Sequence, residues 1–106
     1  MPSTAITALH RGRAVDPARV LTGPLRGIGL GWLDAGEAVE LTAEGHEHAV
    51  YVTAGSGTAA GPGSDVPLAE GTAVTLPLGS RTTLTASEEG LEYFHAVLAV
   101  PRGGTR

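Results

Sequence analysis

Glycine and proline interrupt this chain at intervals too short for helices. Sixteen glycines and seven prolines fall between brief runs rich in Val, Leu and Thr over 106 residues. No stretch keeps a helical 3.6-residue period over three turns, whereas turn residues recur about every ten positions, the rhythm of an all-β sandwich, jelly roll or barrel. The length suits one domain with a single core. Hydrophobic residues make up 42% of the chain, with only 4% aromatic, so Ala, Val and Leu carry a globular core.

Composition excludes several function classes. With no cysteine, neither a disulfide framework nor thiolate chemistry is available, and a metal would need His, carboxylate or water ligands. A net charge of −4 speaks against nucleic acid, whose binding needs clustered cations to displace phosphate counterions. All seven cations are arginine; Arg11, Arg13, Arg19 and Arg26 make the amino-terminal quarter basic and leave the remainder acidic. No window approaches the roughly 18 apolar residues of a membrane span, and residues 1–20 lack the apolar stretch of a secretory signal. The expectation is a cytoplasmic protein without a membrane partner.

Taken in order, residues 3–10 read as an edge strand ending at His10, and Asp16-Pro17 as a turn. From Gly23 to Trp32, an extended chain puts Leu25, Gly27, Gly29 and Gly31 on one face and Arg26, Ile28, Leu30 and Trp32 on the other. Glycine at every second position invites close approach by another backbone. Gly29-Leu30-Gly31 is no dinucleotide fingerprint, since neither a helix pattern nor a third glycine follows. Ala38–Thr42, Thr72–Leu76, Arg81–Ala86 and Leu91–Val100 read as strands, Thr58–Pro67 as a hairpin-like excursion, and Asp34–Glu37, Pro77–Ser80 and Ser87–Gly90 as turns. About eight strands result.

The chemistry is concentrated between Gly45 and Gly57. On a strand, His46, His48, Val50, Val52 and Ala54 share one face, and its apolar continuation turns that face inward. Two histidines with Cα atoms about 6.6 Å apart can converge on one ion or one small ligand. Glu44 shares the face only if the strand runs unbroken through Gly45, and then lies about 13 Å from His48. In Leu91–Val100, Phe94, Ala96, Leu98 and Val100 form the more apolar set, which places Tyr93 and His95 outside. With the faces reversed, His95 becomes a third ligand. Trp32, Tyr51 and Tyr93 are candidates for a pocket mouth or for core and dimer packing.

These motifs resemble the cupin superfamily, whose first motif reads G-x5-H-x-H-x3,4-E-x6-G and whose second reads G-x5-P-x-G-x2-H-x3-N. Gly71, Pro77 and Gly79 fit the second frame, but its histidine and asparagine positions hold Thr82 and Ala86. His46-Glu47-His48 fits the H-x-H, with Val52 or Thr53 in the glutamate slot. The short connection from Gly45-His46 to Tyr51-Val52-Thr53-Ala54-Gly55 is similar to the carboxy-terminal half of pirin-like bicupins, a half without the metal. The likeness covers residues 37–101. It implies a cupin-type double-stranded β-helix (jelly-roll) barrel, with residues 1–36 as an amino-terminal arm and edge strands and 102–106 as a frayed tail.

What the resemblance implies about function is a small-molecule enzyme of oxygenase, isomerase or cyclase type. His46 and His48 are its candidate catalytic residues. His46, His48, His95 and Glu44 are candidate ligands for one divalent ion (Fe, Zn, Mn or Ni), and a metal-free site using the histidines as acid and base stands beside that reading. The alternative is a metal-free, non-catalytic module that binds a ligand or serves as a structural unit. A small-molecule ligand and a second copy in a homodimer are the expected partners.

Overall fold

A computed structural model describes residues 9, 11–15, 24–61 and 63–100. Apart from Leu9, the expected edge strand of residues 3–10 with His10, the Asp16-Pro17 turn and the 102–106 tail lie outside the described residues. Seven strands appear: β1 (Arg13–Val15), β2 (Leu25–Leu33), β3 (Ala38–Thr42), β4 (His46–Ala60), β5 (Asp65–Ala69), β6 (Ala73–Leu76) and β7 (Arg81–Ala99). Among the described residues there is no helix, so none is long and apolar enough to cross a membrane.

β4 and β7 are the frame. They pair antiparallel along nearly their whole length, from His46↔Ala99 to Ala59↔Leu84. The amino-terminal half of β4 pairs with β6 and its carboxy-terminal half with β5. On β7, the first half pairs with β3 and the second with β2, which in turn carries β1. The two long strands thus run through both layers of an antiparallel jelly roll, and the shorter strands extend each layer at its edges.

One expected turn is a bend within a continuous strand: Ser87–Gly90 lies inside β7, and β4 runs likewise through Gly55. Both glycines adopt a left-handed backbone, with φ of +81° at Gly55 and +79° at Gly90, a conformation that bends a strand without reversing it. A Cβ on Gly55 would stand 2.1 Å from the Gly90 carbonyl oxygen, and one on Gly90 would stand 2.6 Å from the Trp32 ring. The strands touch here because neither residue has a side chain.

Alternation fills the space between the layers. Val50 and Val52 of β4, Leu84, Leu91 and Tyr93 of β7, Leu41 of β3, Leu68 of β5 and Leu76 of β6 form the buried cluster. Leu84, Leu91, Val50 and Val52 are essentially inaccessible, each stabilising the fold by about 1.5–3 kcal/mol of transfer free energy. Among the described residues Thr82 is the buried polar side chain, and its hydroxyl donates to the Ala60 carbonyl at 2.7 Å. The position that the second cupin motif gives to histidine is therefore occupied by a structural hydrogen bond between β7 and the end of β4.

Gly55→Ala should lower unfolding free energy by about 2–5 kcal/mol, combining the left-handed backbone cost with overpacking against Gly90. Gly63→Ala, where an added Cβ meets nothing within 4 Å, should change stability by less than about 1 kcal/mol. Urea denaturation of both variants tests the contrast; equal losses would show that the Gly55–Gly90 contact does not matter.

Candidate functional site

The β4–β7 register decides which histidines meet. Val50 stands opposite His95, Val52 opposite Tyr93 and His48 opposite Val97, and opposed residues of an antiparallel pair share a face. His48, Val50, Val52, Tyr93 and His95 thus line one inner wall. This corrects the expectation that Tyr93 and His95 lie outside: Tyr93 is buried and His95 half-buried. β7 carries apolar residues on both faces, Phe94, Ala96 and Leu98 on one and Leu91, Tyr93 and Val97 on the other, so apolarity alone does not orient it. The signal that does is on β2. Gly27, Gly29 and Gly31 stand opposite Val97, His95 and Tyr93, a small-residue stripe facing a large one. What approaches Gly31 is a ring and not the expected backbone, since a Cβ there would stand 2.3 Å from Tyr93 Cζ.

His48 and His95 are hydrogen-bonded to each other, with His48 Nδ1 2.9 Å from His95 Nε2 and ring centroids 5.1 Å apart. The tautomers follow from one further contact. His48 Nε2 lies 3.0 Å from the Thr42 carbonyl oxygen, which only accepts, so His48 carries its proton on Nε2. A neutral His48 then offers its Nδ1 lone pair, and His95 Nε2–H donates to it. That leaves His95 Nδ1 as an acceptor without a partner among the described residues. Burial first, and the charge His48 can acquire second, hold the His95 imidazolium pKa below the usual histidine value, so the pair takes up one proton more readily than two.

The other expected ligands stand apart. His46 is exposed, its Nδ1–H donates to the Glu44 carbonyl at 3.0 Å, and its ring centroid is 6.0 Å from that of His48. Gly45 has φ of +84°, so β4 begins only at His46 and Glu44 does not continue its inner face. Among the described residues, no group of three or more His, Cys, Asp or Glu is placed to hold a metal ion. The two paired imidazoles leave the donor set short of the three protein ligands that a catalytic ion takes.

Tyr93 completes the wall, its ring centroid 6.3 Å from that of His95. Burial pushes its phenol pKa up, so it stays a neutral donor. Both residues border a cleft of about 170 Å³ whose floor includes Gly29 and Gly31. A larger opening of about 490 Å³ runs between Thr42–Gly45 and Leu78–Arg81, lined by no histidine among the described residues. The remaining scarce aromatics are elsewhere: Tyr51 is exposed, and Trp32 packs under Arg11, whose guanidinium carbon lies 4.0 Å from the ring centroid. Arg11 also pairs with Glu92, which accepts from the Thr53 hydroxyl at 2.7 Å. Those bonds, Arg11 first, hold the Glu92 carboxyl below its usual pKa.

No protein-family model matches the sequence, and no curated protein matches it significantly. Solved structures do resemble it. A cupin 2 conserved barrel domain protein from Salinispora arenicola aligns with a TM-score of 0.72 at 17% identity, over 83% of this chain and 74% of that one. A cupin protein from Bacteroides fragilis aligns with a TM-score of 0.69 at 16% identity, over 98% and 86%. A protein described as a predicted oxalate decarboxylase from Thermotoga maritima aligns with a TM-score of 0.65 at 20% identity, over 73% and 69%. The fold is the cupin-type jelly roll.

The lowered His95 pKa sets a pH dependence. The unfolded chain takes up this proton as pH falls through about 6.5, whereas the folded chain does so only at lower pH, so stability falls over that interval and levels off below the folded value. Denaturation midpoints measured between about pH 7.5 and about pH 5.5 should decline less steeply in His95→Gln than in the wild type. Equal slopes would remove His95 as the cause.

Proposed function

We propose that the protein is a small-molecule enzyme in which His48 and His95 act together as a proton-handling dyad. The observation that supports this most is the direct 2.9 Å bond between the two rings, with the far nitrogen of His48 fixed by the Thr42 carbonyl. A proton taken from a substrate by His95 Nδ1 releases the shared Nε2 proton to His48 Nδ1. His48 becomes the imidazolium, its Nε2–H held on the carbonyl dipole, while His95 stays neutral with its proton on Nδ1. The reverse shift returns a proton to the same or a neighbouring substrate atom. Abstraction and return of this kind is the chemistry of an isomerase or epimerase acting beside a carbonyl.

The dyad transfers the acid–base role expected of His46 and His48 to His48 and His95. Tyr93 supplies a neutral donor toward the oxygen on which charge develops. The similarity of residues 37–101 to the metal-free half of pirin-like bicupins favours the same reading, and the Thermotoga maritima neighbour favours enzyme over inert scaffold.

The test is solvent deuterium incorporation into a panel of small enolisable ketones and hydroxy-ketones, followed by NMR. The wild type should accelerate exchange of at least one compound above buffer. His95→Gln and His48→Gln should each slow it by about 100-fold or more, and prior treatment with a chelator should leave it unchanged. Exchange indifferent to both substitutions would sink the dyad. Loss of exchange on chelation, restored by one divalent ion, would move the chemistry to a metal.

A further inference from the structure

Two polar atoms on the inner wall have no protein partner among the described residues: the Tyr93 hydroxyl and His95 Nδ1. No buried side-chain nitrogen or oxygen among those residues lacks a hydrogen bond. Neither atom takes part in one, so both reach solvent, although Tyr93 is only 7% exposed. The opening that both residues line is the cleft over Gly29 and Gly31. Among the described residues, its remaining wall is Ala14, Leu30 and Gly12, and none of them is charged. Arg11 is committed to Glu92 and Trp32, which stand opposite each other in the β2–β7 ladder, one position out of phase with Tyr93 and therefore on the other face.

We propose that this cleft binds a small uncharged molecule that carries a hydrogen-bond acceptor and a donor on neighbouring atoms, as in a lactam or a hydroxy-ketone. The inference rests on the tautomers of the proposed dyad and adds the class of molecule they would meet. The phenol offers O–H, and it selects an acceptor such as a carbonyl oxygen. His95 Nδ1 offers a lone pair, and it selects N–H, O–H or an acidic C–H. Among the described residues, a carboxylate would face that lone pair with no cation to balance it, and an ammonium would find no carboxylate. Size follows from the glycines. About 170 Å³ is room for roughly six water-sized groups at about 30 Å³ each, and a Cβ at Gly31 would displace the Tyr93 ring that borders it. An apolar floor with a few convergent polar atoms is the usual build of a ligand site.

The probe is 2-pyrrolidinone, titrated into the folded protein while backbone amide signals are followed by NMR. Shifts should gather at Ala14, Gly29, Gly31 and His95. Tyr93→Phe, with signal dispersion retained, should weaken binding by about fivefold or more. N-methyl-2-pyrrolidinone, which lacks the donor, should weaken by a similar factor, and acetate and benzylammonium should bind less well than the lactam. Shifts confined to Thr42–Gly45 and Leu78–Arg81, no saturable shift at all, or affinity unaffected by Tyr93→Phe and by N-methylation would each overturn the proposal. Lactam binding in this cleft without any catalysed exchange would defeat the acid–base reading and leave the binding site standing. His95-dependent exchange with lactam shifts elsewhere would do the opposite.

Discussion

The ladder between β4 and β7 carries one extra residue on β4 between Val52 and Ala54, and the facing of every side chain upstream depends on it. Ala54 pairs with Glu92 and Gly55 with Leu91. Continued without interruption, that register would set Thr53 opposite Tyr93 and Tyr51 opposite His95, and His48 would turn away from the wall. The bulge at Thr53 shifts the register by one, and a one-residue slip exchanges the two faces of a strand. Val52, Val50 and His48 therefore join Tyr93 and His95. The Thr53 hydroxyl, bonded to Glu92, ties the displaced residue to the strand it was displaced from, and Arg11 holds Glu92 from the other side.

The fold's legibility follows the same division. Alternation in His46–Val52 orients that part of β4 correctly, with Tyr51 exposed on the other face, whereas Ala54, expected on the same face, lies beyond the bulge and pairs with Glu92. β7 lacks that asymmetry, because it carries apolar residues on both faces, Phe94, Ala96 and Leu98 against Leu91, Tyr93 and Val97. Its histidine is placed by a bulge and by glycines on another strand, neither of which the local sequence of β7 records. The bend at Gly90 reads as a turn for a related reason. A left-handed glycine looks the same in sequence whether the chain reverses or merely kinks, and only the long ladder on either side distinguishes the two.

The candidate ligand set divides by backbone geometry. Gly45 at positive φ ends the strand before Glu44 can join the wall, and leaves the Glu44 carbonyl as a hydrogen-bond partner for His46. Thr82, at the position where a cupin's second motif places histidine, uses its hydroxyl to close β7 onto Ala60. Both departures remove a donor from the barrel interior. His48 and His95 remain, and they satisfy each other. Burying two imidazoles is costly when their polar atoms go unmet, and a mutual bond with a backbone carbonyl behind it removes most of that cost without an ion.

That arrangement also explains why the pair is polarised along a direction. Thr42 fixes one end of the chain of bonds, because a carbonyl has no proton to give. Each ring in turn must donate toward that end, and the only lone pair left over emerges at His95 Nδ1, the end that borders the cleft. A symmetric pair of histidines in water would sample both directions. Here the main-chain oxygen of the last residue of β3 chooses one, so the basic atom faces the glycine-floored cleft beside the Tyr93 hydroxyl, where a small molecule can reach it.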